Sequence, residues 1–187
     1  ADFCGLTLKV KPGVLIPRPE TEELVNWVVE NVNDNLNSNY QLLDIGTGCG
    51  CIAVALSKKL ENAEVEAWDV SDVALRVTKD NATKNHVKVK VKKVDILSDD
   101  IFVLGNYDVI VSNPPYICKE EKEEMEKNVL EHEPSLALFV PNEDPLLFYR
   151  KIGLLALQLL NNGGLLFFEI NRRFGKEVVA MLQELGY

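Results

Sequence analysis

Short apolar runs of strand length alternate along this chain with segments of helical period, and that alternation constrains the fold more than any other feature. The runs lie at 41–45, 65–69, 87–95, 107–113 and 165–170, with helical segments at about 51–60, 71–82, 145–160 and 174–185. Strands separated by helices do not close as hairpins; they pair in parallel, and the helices cover both faces of the sheet. The expected class is α/β, a doubly wound, mostly parallel sheet. In the third run Val87, Val89 and Val91 alternate with Lys88, Lys90 and Lys92, whereas the fourth carries the uninterrupted Val109-Ile110-Val111. Lysines along one face suit a sheet edge, where charge discourages pairing with another chain. The simplest strand order is then 3-2-1-4-5, reversing between strands 1 and 4, and ligands of such sheets bind at the carboxyl ends of those two strands.

The segment 145–160 has the sharpest predicted helix ends, with Asp144 as N-cap, Pro145 at the first helical position and Gly163 beyond the C-terminus. Ahead of the sheet, residues 1–19 read as a connector or a small hairpin turning at Lys11-Pro12-Gly13, and 20–32 as an amphipathic helix; 31–39 is a polar, Asn-rich linker. Residues 20–187 are expected to form one domain. Sheets of this kind usually continue past a fifth strand, so the domain is expected to be incomplete at its C-terminal side, with the terminal strands missing.

Composition removes several function classes. With 187 residues, 47% of them apolar, the chain is long enough to bury one core. Its longest apolar stretch, 152–160, is too short to span a bilayer and is interrupted by Gln158, so no membrane helix is expected. Cys4, Cys49, Cys51 and Cys118 form neither a CxxC pair nor a metal-ligand spacing; reduced thiols in a cytoplasmic protein without a metal centre are the expectation. Twenty-nine acidic against 20 basic side chains leave a formal charge of −9, which counts against broad salt-driven nucleic-acid binding. His86 and His132 lie in polar surroundings without a Ser or Cys partner and read as surface histidines; the acidic stretch 119–133 reads as a solvated helix or flap. The pattern sets no oligomeric state.

The chemistry concentrates at strand ends. The first strand runs into Asp44-Ile45-Gly46-Thr47-Gly48-Cys49-Gly50, a turn whose glycines allow positive φ and let a ligand approach the backbone. Asp69 ends the second strand, where a carboxylate accepts hydrogen bonds from ribose hydroxyls in nucleotide-binding α/β folds, and Asp95 with Ile96 ends the third, placed to approach an adenine. Each acid alone also reads as a capping or solvated group. At the end of the fourth strand stands Asn113-Pro114-Pro115-Tyr116, which by itself is also a proline-fixed turn. Its chemical reading concerns a planar –NH₂, a poor nucleophile because its lone pair is delocalised. If the Asn113 side-chain oxygen and the Pro114 carbonyl each accept one of its hydrogens, the lone pair is freed to point at a methyl donor, while Tyr116 stacks on the flat group.

The glycine turn resembles the loop of class I S-adenosylmethionine-dependent methyltransferases, which have a Rossmann-like fold, and the tetrapeptide resembles the motif of amino-methyltransferases. With Leu15-Ile16-Pro17-Arg18-Pro19-Glu20-Thr21-Glu22 and the later Glu133-Pro134 and Ala137-Leu138, the chain from Leu15 to Tyr187 resembles the peptide chain release factor N5-glutamine methyltransferases, the PrmC/HemK family. That resemblance implies S-adenosyl-L-methionine as cofactor and transfer of its methyl group to the glutamine amide of the Gly-Gly-Gln motif of a release factor, the partner. It implies cofactor contacts from Asp44, Gly46, Thr47, Gly48, Cys49, Gly50, Asp69, Asp95, Ile96 and Asn113. Asn113, Pro114 and Tyr116 would be catalytic, with Arg18 and Pro115 joining them in substrate binding. Two departures stand out: Cys49 replaces the family's usual Ser or Thr, and Glu169-Ile170-Asn171 stands in place of Glu-His-Gly. Rival readings are an adenine-N6 or other nucleic-acid amino methyltransferase, an NAD-dependent oxidoreductase, disfavoured by Cys51 where a dinucleotide fingerprint wants Gly or Ala, and a non-catalytic nucleotide-binding module.

Overall fold

Side chains that alternate along buried strands need an apolar layer on each face, and the helices supply both. The computed structural model describes residues 1–32, 39–98, 105–118, 120–121 and 138–187. Two short antiparallel strands, β1 (Asp2–Phe3) and β2 (Leu6–Thr7), precede helix α1 (Pro19–Val32). The sheet then begins with β3 (Tyr40–Ile45), α2 (Cys51–Lys59), β4 (Ala63–Asp69), α3 (Asp72–Lys84) and β5 (Val89–Lys93). After β6 (Tyr107–Ser112) come the short parallel pair β7 (Ile117–Cys118) and β8 (Phe139–Val140), then α4 (Leu147–Leu159), β9 (Leu160–Phe168) and α5 (Gly175–Leu185).

The five main strands are all parallel in the order β5-β4-β3-β6-β9, the predicted 3-2-1-4-5 arrangement of a doubly wound α/β sheet. Leu42, Val65, Ala67, Val109 and Val111 face α1, α2 and α3, packing with Val28, Val54 and Val77. Their neighbours Leu43, Ile45, Trp68 and Ile110 face the other way, onto Ile152, Leu155 and Leu159 of α4. α5 lies outside α4, where Val178 and Met181 meet Tyr149. The lysine-bearing strand is indeed the edge, and its ion pairs, Lys90 to Glu64 and Lys93 to Asp72, are more than half exposed, so they contribute little stability. Among the described residues no helix is long and apolar enough to cross a membrane.

Several predicted boundaries move, each for a local reason. The N-terminal hairpin turns at Cys4-Gly5, both at positive φ, and not at Lys11-Pro12-Gly13, which forms a separate turn closed by Val14 N–H donating to the Lys11 carbonyl. The third strand is shorter than 87–95 because the Val87 N–H is taken by the Ala82 carbonyl at the exit of α3, while Asp95 accepts the Leu97 N–H in a tight turn. α4 starts at Leu147 without a side-chain cap, since the Asp144 carboxylate is instead held by both arms of Arg150, at 2.9 and 3.1 Å. It passes directly into β9, so Gly163 caps no helix: the Leu160–Phe168 strand slips register between the Tyr107–Leu160 and Val109–Leu165 pairs. Gly164 sits where a Cβ would come within 2.9 Å of the Asn161 carbonyl, which explains a glycine there. The linker residues 33–38 and most of the acidic stretch, with His132, Glu133, Pro134 and Ala137, lie outside the described residues.

Ile110 is wholly buried in the layer under α4. Truncating it to alanine removes three buried carbons and leaves a void; Ile110→Ala is expected to destabilise the fold by about 2–5 kcal/mol. Urea unfolding of the two proteins measures this, and a loss below about 1 kcal/mol would show that the layer collapses around the gap.

Candidate active site

The glycine turn is pinned at the top of the sheet. The N–H groups of Gly46 and Thr47 both donate to the Trp68 carbonyl at the end of β4, at 2.9 and 3.0 Å, bending the chain as it leaves β3. Gly46, Gly48 and Gly50 have φ of 74°, 57° and 80°. At Gly50 a side chain is excluded twice over, by that φ and by Thr78, whose Cγ2 would lie 2.8 Å from an added Cβ. From α3, Thr78 Oγ1 donates to the Gly48 carbonyl. Beneath the turn, Thr47 Oγ1 donates to Asp44 Oδ2 at 2.7 Å, while Asp44 Oδ1 is buried without a hydrogen-bond partner among the described residues. Burial pushes the Asp44 carboxyl up to about 7, against the opposing pull of the Thr47 hydroxyl and the Ala53 amide.

A cavity of about 260 Å³ opens over this turn. Gly46 and Gly48 form its floor, Asp69 and Ser71 one side, and Val94, Asp95, Ile96 and Leu97 the far end; Trp68, Phe148 and Ile152 supply apolar wall. Asp69 is oriented before any ligand arrives: Oδ2 accepts from Gly48 N–H and Oδ1 from Ser71 N–H, both at 2.9 Å, and burial raises its carboxyl above the ordinary range. Gly13, Val14 and Leu15 also line it, from a segment predicted as a connector or small hairpin. Asn81, fully buried on α3, holds that segment down. Its Nδ2 donates to the carbonyls of Lys9 and Cys49 and its Oδ1 accepts the Lys9 N–H, so one side chain ties the strap to the glycine turn. Cys49 and Cys51 are both buried, and all four cysteines are free thiols.

On the strand 4 side, Asn113, Pro114 and Pro115 line the same cavity, next to Ser112, whose Oγ donates to the Ile45 carbonyl at 2.6 Å and stitches the ends of β6 and β3 together. Of the predicted residues, Gly46, Gly48, Asp69, Asp95, Ile96, Asn113, Pro114 and Pro115 therefore share one cavity. Asp44, Thr47, Cys49 and Gly50 lie outside its lining and shape the turn from below, and Tyr116 and Arg18 stand outside it as well. The charge of Glu20 raises the Tyr116 hydroxyl and that of Arg18 lowers it, both by less than burial and Glu169 raise it.

The turn after β9, Glu169-Ile170-Asn171, bonds to the Asn-Pro-Pro-Tyr segment and to α1. Glu169 accepts on both oxygens, from Thr21 Oγ1 at 2.7 Å and Tyr116 Oη at 3.0 Å; burial and that negative charge push the Tyr116 hydroxyl well above its usual range. Asn113 Nδ2 donates to Thr21 Oγ1 at 3.2 Å. Asn171 Nδ2 donates to the Tyr116 carbonyl, its N–H donates to Tyr149 Oη, and that hydroxyl donates to the Glu169 carbonyl. Thr21, Tyr149, Glu169 and Asn171 thus frame the Asn-Pro-Pro-Tyr segment, although no spacing in the sequence links them. The one available hint was Thr21, a small polar residue on the apolar side of an amphipathic helix, 1% exposed.

Residues 20–135 match the family described as the methyltransferase small domain. Among curated relatives, the release factor glutamine methyltransferase of Bacteroides thetaiotaomicron is 50% identical over 187 residues, all of this chain and 66% of that protein. The protein of the same name from Streptococcus pneumoniae is 43% identical over 98% of this chain and 63% of its own length. The chain thus spans about two thirds of the length of these relatives. Solved structures of a Pyrococcus furiosus methyltransferase and of human methyltransferase 10 domain containing protein superpose with TM-scores of 0.65 and 0.62. Their identities are 21% and 24%, over 97% and 96% of this chain and 77% and 76% of theirs. At that identity they show the fold.

The buried acid under the glycine turn makes stability depend on pH. Native Asp44 keeps its proton to about pH 7, whereas the unfolded carboxyl loses it near 3.8. Between those values the native state binds more protons, so the contribution of Asp44 is full below the lower value and is lost as pH rises, by at most about 1.4 kcal/mol per unit. Asp44→Asn is expected to gain stability relative to the wild type as pH goes from 4.5 to 6.5 (about two units within the window). Urea titrations at several pH values read this out; a constant difference would place the native carboxyl in its ordinary range.

Proposed function

The chain belongs to the methyltransferase small-domain family, and from that premise we propose that it moves a methyl group from S-adenosylmethionine to the side-chain amide nitrogen of a protein glutamine. The observation that carries the reaction is that Asn113, Pro114 and Pro115 line the same cavity as Gly46, Gly48 and Asp69. An adenosyl group suits these residues. After accepting from Gly48 and Ser71, the Asp69 oxygens each retain a lone pair for a ribose hydroxyl. Ile96 and Leu97 with Asp95 offer an apolar slot with a polar edge for adenine, and the Gly46–Gly48 backbone leaves room for the amino-acid portion. When bound, S-adenosylmethionine supplies a methyl group on cationic sulfur, activated enough that no strong base is required.

The protein's part is placement. Asn113 Oδ1 and the Pro114 carbonyl take one hydrogen each from the acceptor –NH₂, turning its lone pair toward the methyl carbon. Proline serves here because its carbonyl sits on a restricted backbone with no competing N–H. The nitrogen would take the methyl carbon as its bond to sulfur breaks, that electron pair staying on the sulfur as a neutral thioether, and the proton the nitrogen then loses goes to water. Holding the two reactants in line and excluding solvent carry most of the rate. The acceptor reading draws on the names of the relatives: the glutamine is that of the Gly-Gly-Gln motif of a bacterial-type release factor, met in the cytoplasm. A formal charge of −9 suits a protein acceptor better than a polyanion.

Full-length enzyme, labelled cofactor and release factor, followed by mass spectrometry, should show an added ~14 Da on the motif glutamine. Transfer to DNA or RNA in place of release factor would overturn the acceptor. Asn113→Ala is expected to lower kcat about 100-fold with little change in cofactor affinity. Asp69→Ala should weaken S-adenosylhomocysteine binding about tenfold or more, read by calorimetry.

A further inference from the structure

Asn113 has an end that accepts hydrogen bonds and an end that donates them, and methyl transfer needs only the acceptor. The backbone does not choose between them, because rotating the amide by half a turn exchanges oxygen and nitrogen in nearly the same volume. Something beside it must.

Resting on the methyltransferase reading, we propose that Thr21 is a positioning residue. Its hydroxyl, committed to Glu169, sets which end of the Asn113 amide faces the cavity. The argument is a count of protons. The Glu169 carboxylate accepts on both oxygens, from Thr21 and from Tyr116, and has no hydrogen to give back. The single Thr21 proton therefore goes to Glu169, over 2.7 Å. Only lone pairs remain on the Thr21 side facing Asn113, so that neighbour must present its –NH₂, as it does at 3.2 Å. Oδ1 makes no hydrogen bond among the described residues and is the end left for the cavity that Asn113 lines. Thr21 is 1% exposed, so on its side of the amide the hydroxyl, not water, is the partner that Asn113 meets.

The second arm of Glu169 extends the effect. By holding Tyr116 Oη it fixes the ring that follows the two prolines, and Asn171 Nδ2 holds the Tyr116 carbonyl. Glu169, which matches the resembled pattern, and Asn171, which departs from it, thus orient the Asn113–Tyr116 segment from behind.

The test uses full-length enzyme with release factor and S-adenosylmethionine, measuring kcat, KM and cofactor affinity for Thr21→Val, Thr21→Ser, Glu169→Gln and Asn113→Ala. Thr21→Val keeps the shape and removes the hydroxyl; kcat is expected to fall about tenfold, with KM and cofactor affinity within about twofold. Thr21→Ser should recover most of the rate. Glu169→Gln leaves one acceptor oxygen for two hydroxyl donors and should lower kcat in the same way, with a Thr21→Val/Glu169→Gln pair little worse than either alone. A serine variant as slow as the valine one, or a Glu169→Gln enzyme with unchanged kcat, overturns the relay even should the valine variant fold poorly. If Asn113→Ala turns over normally, the underlying reaction reading fails instead, so the two failures are distinguishable.

Discussion

Everything at the site depends on the reversal of the sheet between β3 and β6. The chain leaves β3 toward one face, where α2 packs, while the helix that follows β6 covers the opposite face. Two neighbouring strands whose continuations diverge leave a gap at their carboxyl ends that no main-chain hydrogen bond fills. The Ser112 hydroxyl bonded to the Ile45 carbonyl closes the bottom of that gap and fixes its width. Above it stand the glycine turn on one side and the Asn-Pro-Pro segment on the other, so a ligand held by the first is presented to the second.

The electrostatics of the gap follow from burial. Asp44 is fully buried and Asp69 partly so, and the negative charge of Asp69 adds to the penalty on Asp44. Among the described residues neither has a cationic side chain as a hydrogen-bond partner; Asp69 is compensated by the backbone N–H groups of Gly48 and Ser71. A crevice built this way gains by admitting a positively charged group, as the sulfonium and ammonium of the proposed cofactor are. Its polar frame is held by side chains that bridge separate segments: Asn81 between the strap and the turn, and Glu169 between α1 and Tyr116.

How much of this was legible follows from the range of each interaction. The sheet order could be read because strand burial writes itself as local pattern: lysines alternate on β5 at the edge and vanish from β6 at the centre. Gly46, Gly48, Asp69, Asp95 and Asn113 could be found because topology brings strand ends together once the order is known. Helix and strand boundaries failed where a side chain had a better partner than its own backbone. Asp144 was expected to cap α4 and instead grips Arg150. The N-terminal turn was assigned to Lys11-Pro12-Gly13 because proline and glycine signal turns, yet Cys4-Gly5 makes the hairpin.

The amino-acid sequence alone determined the α/β class, the strand order and the set of strand-end residues, because periodicity and turn chemistry act over a few residues. Only the tertiary structure decided which of them share a cavity, that Gly13-Val14-Leu15 line it too, and that Thr21 and Glu169 meet behind Asn113. Those partners stand 148 residues apart along the chain, and a hydrogen bond over such a separation leaves no periodic trace; it exists only once α1 and β9 have packed against the same sheet.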